Sequence, residues 1–199
     1  MTSTLIKSAN EANQEQAIAV ISLAFAIDPI SRWIYPDPHQ YLSYFPEVVR
    51  LFAGNAFEQG TAYYADAFSG VALWLPPNVH PRDKEMETLL KQTVPEQHQE
   101  NVFAVLEQMG NYHPTEPHWY LPMIGVDPGH QGKGYGSALM QHALTRCDQE
   151  NKLAYLETGN TRNIPLYKRY GFELLATIQI GSAPPFFPML RQPRALQAK

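Results

Sequence analysis

The chain has 199 residues, seventeen prolines, a single cysteine and a formal net charge of −4. That length supports one domain over residues 1–199 with a core of its own, and a mildly acidic chain has no general attraction to nucleic acid or anionic membrane. Met1 leads into the polar run Thr2-Ser3-Thr4, and no run approaches the ~18 apolar residues of a membrane span, so the expected location is the cytoplasm.

Ala17, Ile18, Ile21, Ala24 and Phe25 recur at helical spacing, and Asn13 with Gln16 offers a cap, so a first helix is predicted from about Asn13 to Ala26, stopped by Asp28-Pro29. Tyr41, Leu42, Phe45, Val48, Val49, Phe52 and Ala56 outline a second helical region, in which Pro46 should start a new turn or impose a kink. Thr61 to Asp66 and Val71 to Leu75 read as a hairpin. Arg82 to Met109 reads as helical with a break near Pro95, amphipathic enough to cover a sheet face. Trp119 to Val126 is the predicted central strand, although Pro122 removes a ladder donor and suits an edge or a gap. Ser137 to Glu150 is a helix with Leu139, Met140, Ala143, Leu144 and Cys147 on one stripe, which makes Cys147 a packed thiol rather than a nucleophile. Strands at Leu153 to Thr158 and Leu174 to Ile180 complete the pattern. Prolines punctuate the loops between these segments, and there is no internal repeat.

Chemistry concentrates after the central strand. Ile124-Gly125-Val126-Asp127-Pro128-Gly129-His130-Gln131-Gly132-Lys133-Gly134-Tyr135-Gly136-Ser137 ends a strand, turns through glycines and opens a helix. Glycines let backbone N–H groups converge without Cβ atoms in the way, and the free amides of a helix's first turn point partial positive charge at the same spot, which suits a diphosphate. A Walker loop needs Ser or Thr where Gly134 stands, and a dinucleotide fingerprint starting at Gly132 needs glycine where Ser137 stands.

The spacing that does match, Gln131-Gly132-Lys133-Gly134-Tyr135-Gly136, resembles the acyl-CoA loop of the GNAT superfamily of N-acyltransferases. A second signature follows it. Asn163-Ile164-Pro165-Leu166-Tyr167-Lys168-Arg169-Tyr170-Gly171-Phe172 is similar to the family's Asn-x-Pro-x-Tyr-x-x-x-Gly-Phe pattern. More loosely, Ala24 to Pro29, Val71 to Trp74 and Glu116 to Leu121 resemble the subgroup typified by puromycin N-acetyltransferase. The resemblance implies an α/β (α+β) GNAT fold: a mixed central sheet with splayed parallel strands, flanked by helices. It further implies acetyl-CoA as co-substrate with no metal, a small-molecule amine as acceptor, and a monomer or homodimer. Implied cofactor contacts are Ile124, Gly125 and Val126 along the pantetheine arm, Gln131, Gly132, Lys133, Gly134, Tyr135, Gly136 and Ser137 around the diphosphate, and Asn163. Asn163 is equally a helix cap, with Asn160 competing for either role.

Acyl transfer from a thioester to an amine needs a neutral amine, a polarised carbonyl and a proton for the departing thiolate. The resemblance gives the last task to Tyr167. Passing a proton from a phenol of pKa about 10 to a thiolate of pKa about 8.5 is uphill by only about 2 kcal/mol. Tyr167 could instead be a half-buried helix residue, and Tyr170 is the better packing candidate. The backbone N–H near Val126 is the implied carbonyl donor. Freeing an α-amine of its proton at pH 7 costs about 1 kcal/mol and a lysine-like amine about 4–5, so only the second strongly needs a base. Glu157, a carboxylate ending an apolar strand, is the first candidate for that base, or else a carboxylate satisfied structurally; Glu116, His118 and Asp28 are alternatives. Loops at Ile30 to Tyr35 and Gly181 to Phe187, rich in aromatics and proline, are expected to shape the acceptor pocket.

Overall fold

A computed structural model describes residues 4–195. Seven strands, β1 (Ile6–Ala9), β2 (Ala62–Ala65), β3 (Gly70–Leu75), β4 (Trp119–Val126), β5 (Ala154–Thr158), β6 (Glu173–Leu174) and β7 (Phe187–Arg191), form one sheet in the order β1-β2-β3-β4-β5-β7-β6. Every pairing is antiparallel except β4 with β5. The helices are α1 (Gln14–Ala24), α2 (Pro29–Ile34), α3 (Pro38–Ala53), α4 (Asn55–Glu58), α5 (Asp83–Thr93), α6 (Glu96–Asn111), α7 (Tyr135–Gln149) and α8 (Ile164–Arg169).

Apolar alternation divides the strands between two cores. Tyr120, Met123 and Tyr155 belong to the face covered by α1, α3 and α5. Trp119, Leu121, Ala154 and Leu156 belong to the other, where Leu139, Met140, Ala143, Leu144 and Cys147 bring in α7. Cys147 is fully buried, and burial pushes its thiol up to about 12, as a packed thiol requires.

Strand β4 is interrupted at the residue that lacks an N–H. Leu73 pairs with Met123 but Leu75 with Tyr120, so two steps along β3 match three along β4 and an extra residue is inserted at Leu121-Pro122, opposite Trp74. The facing confirms it: Trp119 and Leu121 point into the α7 core, and beyond the bulge Ile124 does. On the other side, the parallel ladder with β5 ends at Leu121 opposite Leu156. Pro122 is therefore in a central strand, not at a sheet edge, but at the point where one ladder is bulged and the other stops.

Several elements differ from the sequence expectation. The turn before α1 is capped by Asn10, whose side chain accepts from Ala12 N at 3.0 Å, and Asn13 reciprocates toward the Asn10 backbone. The stretch Ile30 to Tyr35 is not a loop: Asp28 accepts from the amides of Ile30 and Ser31, and Pro29 opens α2 at the position where a missing N–H costs nothing. Helix α3 begins at Pro38 under an Asp37 cap and runs through Pro46. The carbonyl that Pro46 leaves without a helical partner belongs to Leu42, on the exposed face where water can serve it. The predicted strand Leu174 to Ile180 shrinks to β6 plus an isolated bridge between Ile178 and Phe186. Leu175 donates to the Pro188 carbonyl, but Pro188 has no N–H to return. Strands β1 and β7, short or interrupted by proline, carry too little alternation to be found in advance.

Gly125 is where the sheet touches α1. A Cβ placed there would lie 2.6 Å from the Ala24 Cβ and 3.3 Å from Ile21 Cδ1. Gly125→Ala should lower stability by about 1–3 kcal/mol, read as a lower denaturant midpoint. Adding Ala24→Gly should recover part of the loss, and an unchanged midpoint in the single variant would contradict this packing.

Candidate active site

Strand β4 delivers the chain into the glycine turn. Asp127 donates its backbone N–H to Ser69 O, while its side chain accepts from Gly129 N at 2.7 Å, and a 3-10 turn follows over Pro128–His130. Gly132 and Gly134 have φ of +76° and +88°, conformations that side chains resist, and a Cβ on either would meet no protein atom within 4 Å. Both α-carbons border open space. Gly134 is the cap residue of α7 and offers no side-chain hydrogen bond, so the amides of Tyr135, Gly136 and Ser137 are the free first-turn donors of a fifteen-residue helix. Gln131 Nε2 reaches back to Val126 O at 3.4 Å and Lys133 Nζ to Gly129 O at 3.2 Å, which fastens the turn to itself. Gly136 has only ordinary contacts, to Val126 Cγ2 at 3.7 Å and Leu166 Cδ2 at 3.9 Å.

Beside this turn, β4 and β5 part. Ile124, Gly125 and Val126 still pair with β3, at Ala72, Val71 and Gly70, but none of them pairs with β5. Beyond the end of β5, Asn160 accepts from Arg162 N at 3.1 Å and caps the 3-10 turn Thr161–Asn163. Asn163, which begins α8, makes no side-chain cap hydrogen bond, so the capping role falls to Asn160. Helix α8 buries Tyr167 at 4% exposure against Phe172, while Tyr170 donates its hydroxyl to Ser137 O at 2.8 Å and ties α8 to α7. Burial, with the Asp28 carboxylate adding to it, holds the Tyr167 phenol well above its ordinary range. Asp28 is itself raised, by burial that outweighs its hydrogen bonds from Ser31 and Ile30.

On the α1 face of the parting lies Glu157, its side chain 2% exposed. His113 Nε2 stands 3.2 Å from Glu157 Oε1, off the line of a hydrogen bond, and among the described residues Oε1 has no hydrogen-bond partner. The His113 ring packs on Tyr120 and Tyr155 at 4.6 and 4.4 Å between centroids. Burial and the neighbouring Glu157 carboxylate push both phenols upward, so each stays protonated. His118 Nε2 meets His113 Nδ1 at 3.2 Å, and His118 Nδ1 meets Glu116 O at 2.8 Å. Of the sequence candidates, Glu157 and His118 are thus brought together, Glu116 contributes its carbonyl, and Asp28 lies apart beside Tyr167. His113 was missed; its signal was a second histidine five residues before His118, ahead of the same strand.

The predicted pocket segments also converge. Ile30 of α2, Val105 and Met109 of α6, and Ile178, Ala183 and Phe186 form one apolar cluster flanked by Trp33 and Tyr112. Gly159 admits α2 over the end of β5, since a Cβ there would lie 2.5 Å from Ile30 Cγ1.

The model of the acetyltransferase (GNAT) family matches residues 72–172, about half of the chain and both signature segments. The chain belongs to this family. An uncharacterised N-acetyltransferase of Schizosaccharomyces pombe is 36% identical over 78 residues, 38% of this chain and 32% of that protein. A mycothiol acetyltransferase of Mycolicibacterium gilvum is 35% identical over 63 residues, 28% of this chain and 21% of its own length. The matched stretch therefore spans about a third or less of these curated relatives. Among solved structures, a Corynebacterium glutamicum protein described as histone acetyltransferase HPA2 and related acetyltransferase has TM-score 0.67 and 26% identity, covering 99% of this chain and 100% of its own. A Drosophila melanogaster polyamine N-acetyltransferase has TM-score 0.70 at 14% identity, covering 95% and 99%, a likeness of fold. The seven-stranded mixed sheet with its parted β4 and β5 is the GNAT fold. No helix among the described residues is long and apolar enough to cross a membrane, and no group of His, Cys, Asp or Glu among them could hold a metal ion.

The buried Tyr167 gives a direct check on this GNAT site. Because its phenol is raised, Tyr167→Phe should leave the phenolate absorbance reached at about pH 10 unchanged. Loss of one tyrosine's worth of signal in the folded variant would place the ring in water.

Proposed function

We propose that this chain is a single-domain N-acetyltransferase that moves the acetyl group of acetyl-CoA directly to the amine of a small molecule. The observation that carries the reading is the juxtaposition of the glycine turn with the parting of β4 from β5, which leaves an unpaired strand edge leading to free helix amides. The co-substrate supplies an activated acyl group on a thioester. The fit is physical: Gly132 and Gly134 keep Cβ atoms out of a concave backbone, and the α7 amides favour negative charge. Gln131 to Ser137 would hold the diphosphate, the free edge of Ile124 to Val126 the pantetheine amides, and Asn163, not occupied in capping, is free to contact the same molecule.

Tyr167 serves as general acid in this reading. Its raised phenol keeps the proton more firmly than a free tyrosine, and negative charge developing on a departing sulfur is what would draw the proton off. Glu157 serves as general base, its Oε1 buried and without a hydrogen-bond acceptor role yet filled. The apolar cluster of α2, α6 and the Gly181 to Phe186 segment suits an amine with an apolar body. Neighbours named for polyamines, agmatine and arylalkylamines share the fold. A protein acceptor is the second reading, favoured by the histone acetyltransferase name of the 26%-identical structure. A panel of small amines and basic peptides, followed by thiol release, separates them: turnover of peptides alone would replace the small-molecule reading, and acetyl-CoA binding without any thiol release would make the chain an acyl-CoA sensor.

Two substitutions test the parts. Gly134→Val places a branched side chain at φ +88° in the concave turn, so acetyl-CoA affinity measured by calorimetry should fall at least about tenfold, roughly 1.4 kcal/mol. Undiminished affinity in a folded variant would remove the turn from the cofactor site. Tyr167→Phe should slow single-turnover transfer by about 10²-fold or more with little change in cofactor affinity. Transfer at the parental rate would assign the thiolate's proton to another group or to water.

A further inference from the structure

We propose that His113 relays the proton collected by Glu157 to solvent while His118 fixes its ring, through the contacts Glu157 Oε1 to His113 Nε2, His113 Nδ1 to His118 Nε2, and His118 Nδ1 to the Glu116 carbonyl. The inference rests on the reading of Glu157 as the base.

The polarity of the chain follows from its fixed end. A carbonyl oxygen only accepts, so His118 Nδ1 carries a proton and donates it to Glu116 O at 2.8 Å. Two imidazole nitrogens 3.2 Å apart need one proton between them, and with His118 Nε2 as the acceptor that proton sits on His113 Nδ1. Two neutral imidazoles supply both protons, which leaves the lone pair of His113 Nε2 beside Glu157 Oε1 at 3.2 Å.

Burial decides the route of a proton collected by Glu157. The Glu157 side chain is 2% exposed and the His113 side chain 28% exposed, so the imidazole is the route from the carboxylate to water. His118 is held below the usual imidazole range by burial, which outweighs its hydrogen bond to the Glu116 carbonyl, and His113 and His80 add to the lowering. A proton taken up at the Glu157–His113 end therefore leaves from His113 and does not move on to His118. Other titratable groups facing this end are Tyr112 on the approach to the loop, Tyr120 on β4, Tyr155 on β5 and, at longer range, Asp83 on α5. The two β-strand phenols stay protonated, which leaves the carboxylate and imidazoles as the groups that exchange protons.

The step balances. With the carboxylate ionised and both imidazoles neutral, an acceptor ammonium breaks one N–H bond and an O–H bond forms on Glu157. That O–H bond breaks as the proton passes to His113 Nε2, and His113 gives the proton to water. The ammonium has become an amine, water has gained a proton, and the carboxylate and both imidazoles are as they began. His113 acts through Glu157 and positions its charge without itself meeting the acceptor.

Glutamine in place of His113 keeps a polar amide there but neither takes up nor releases a proton. His113→Gln should lower kcat at pH 7 at least about tenfold with KM little changed, and added imidazole should restore part of the activity lost in His113→Ala. An unchanged kcat in folded His113→Gln overturns the relay. Nitrogen-15 spectra of labelled histidines test the chain without turnover. His118 should show the proton on Nδ1, and Glu157→Gln should alter the ring signals of His113. A proton on Nε2 of His118, or a His113 spectrum indifferent to Glu157→Gln, would also overturn it. If those spectra hold while the parent chain acetylates no amine, the proton chain stands and the acetyltransferase reading falls.

Discussion

A parallel pair of strands that stays together for only three residues organises this molecule. Trp119 to Leu121 pair with Ala154 to Leu156, and then Pro122 intervenes. A proline has no N–H for the ladder, and the inserted residue on the β3 side changes which backbone groups face which neighbour. Strand β4 keeps β3 as a partner along Met123 to Val126, so it stays in the sheet while its other edge is released. Inside a protein an unpaired strand edge is costly unless something covers it, and an extended ligand with amide groups is suited to do so.

The two faces of the parted strands carry different chemistry. On the α7 face, Tyr167 is buried against Phe172 in the apolar cluster that includes Leu139 and Met140, and Tyr170 ties α8 to α7. A phenol so enclosed keeps its proton and its direction. On the α1 face, the neighbouring rings of Tyr120 and Tyr155 pack against an imidazole beside a buried carboxylate. Gly125 and Gly159 let α1 and α2 close over the sheet at contact distance, and Asp28 caps α2 at its first turn. Close packing at these glycines sets where the polar groups stand, so small changes in the packing should be felt in the chemistry.

Legibility in the sequence followed how local the determining physics was. The glycine turn, α7 and β4 were readable because each is set by residues next to one another: left-handed glycines, a 3.6-residue apolar stripe and an apolar run. The capping choice between Asn160 and Asn163 was not, since both stand before a helical turn and only backbone direction selects Asn160. Helix α2 was hidden because Asp28-Pro29 reads as a stop to the preceding helix, whereas α1 has already ended at Ala24 and the two residues start α2. Pro46 looked like a break because its neighbours do not reveal that Leu42 is exposed. Glu157 was legible as an ionisable residue in an apolar strand, but His113 was not, since it reaches the site only when the loop after α6 folds across β5. Strand β7 was obscured by Pro188, which also cut short the pairing of β6.

The central claim is that the backbone of the turn and the released edge of β4 hold acetyl-CoA. Residue-resolved amide hydrogen exchange with and without acetyl-CoA tests it most directly. The account predicts that the amides of Gln131 to Ser137 slow on binding, together with those of Ile124 to Val126 that face the parted edge. Saturable acetyl-CoA binding that leaves all of these amides exchanging as before would contradict it.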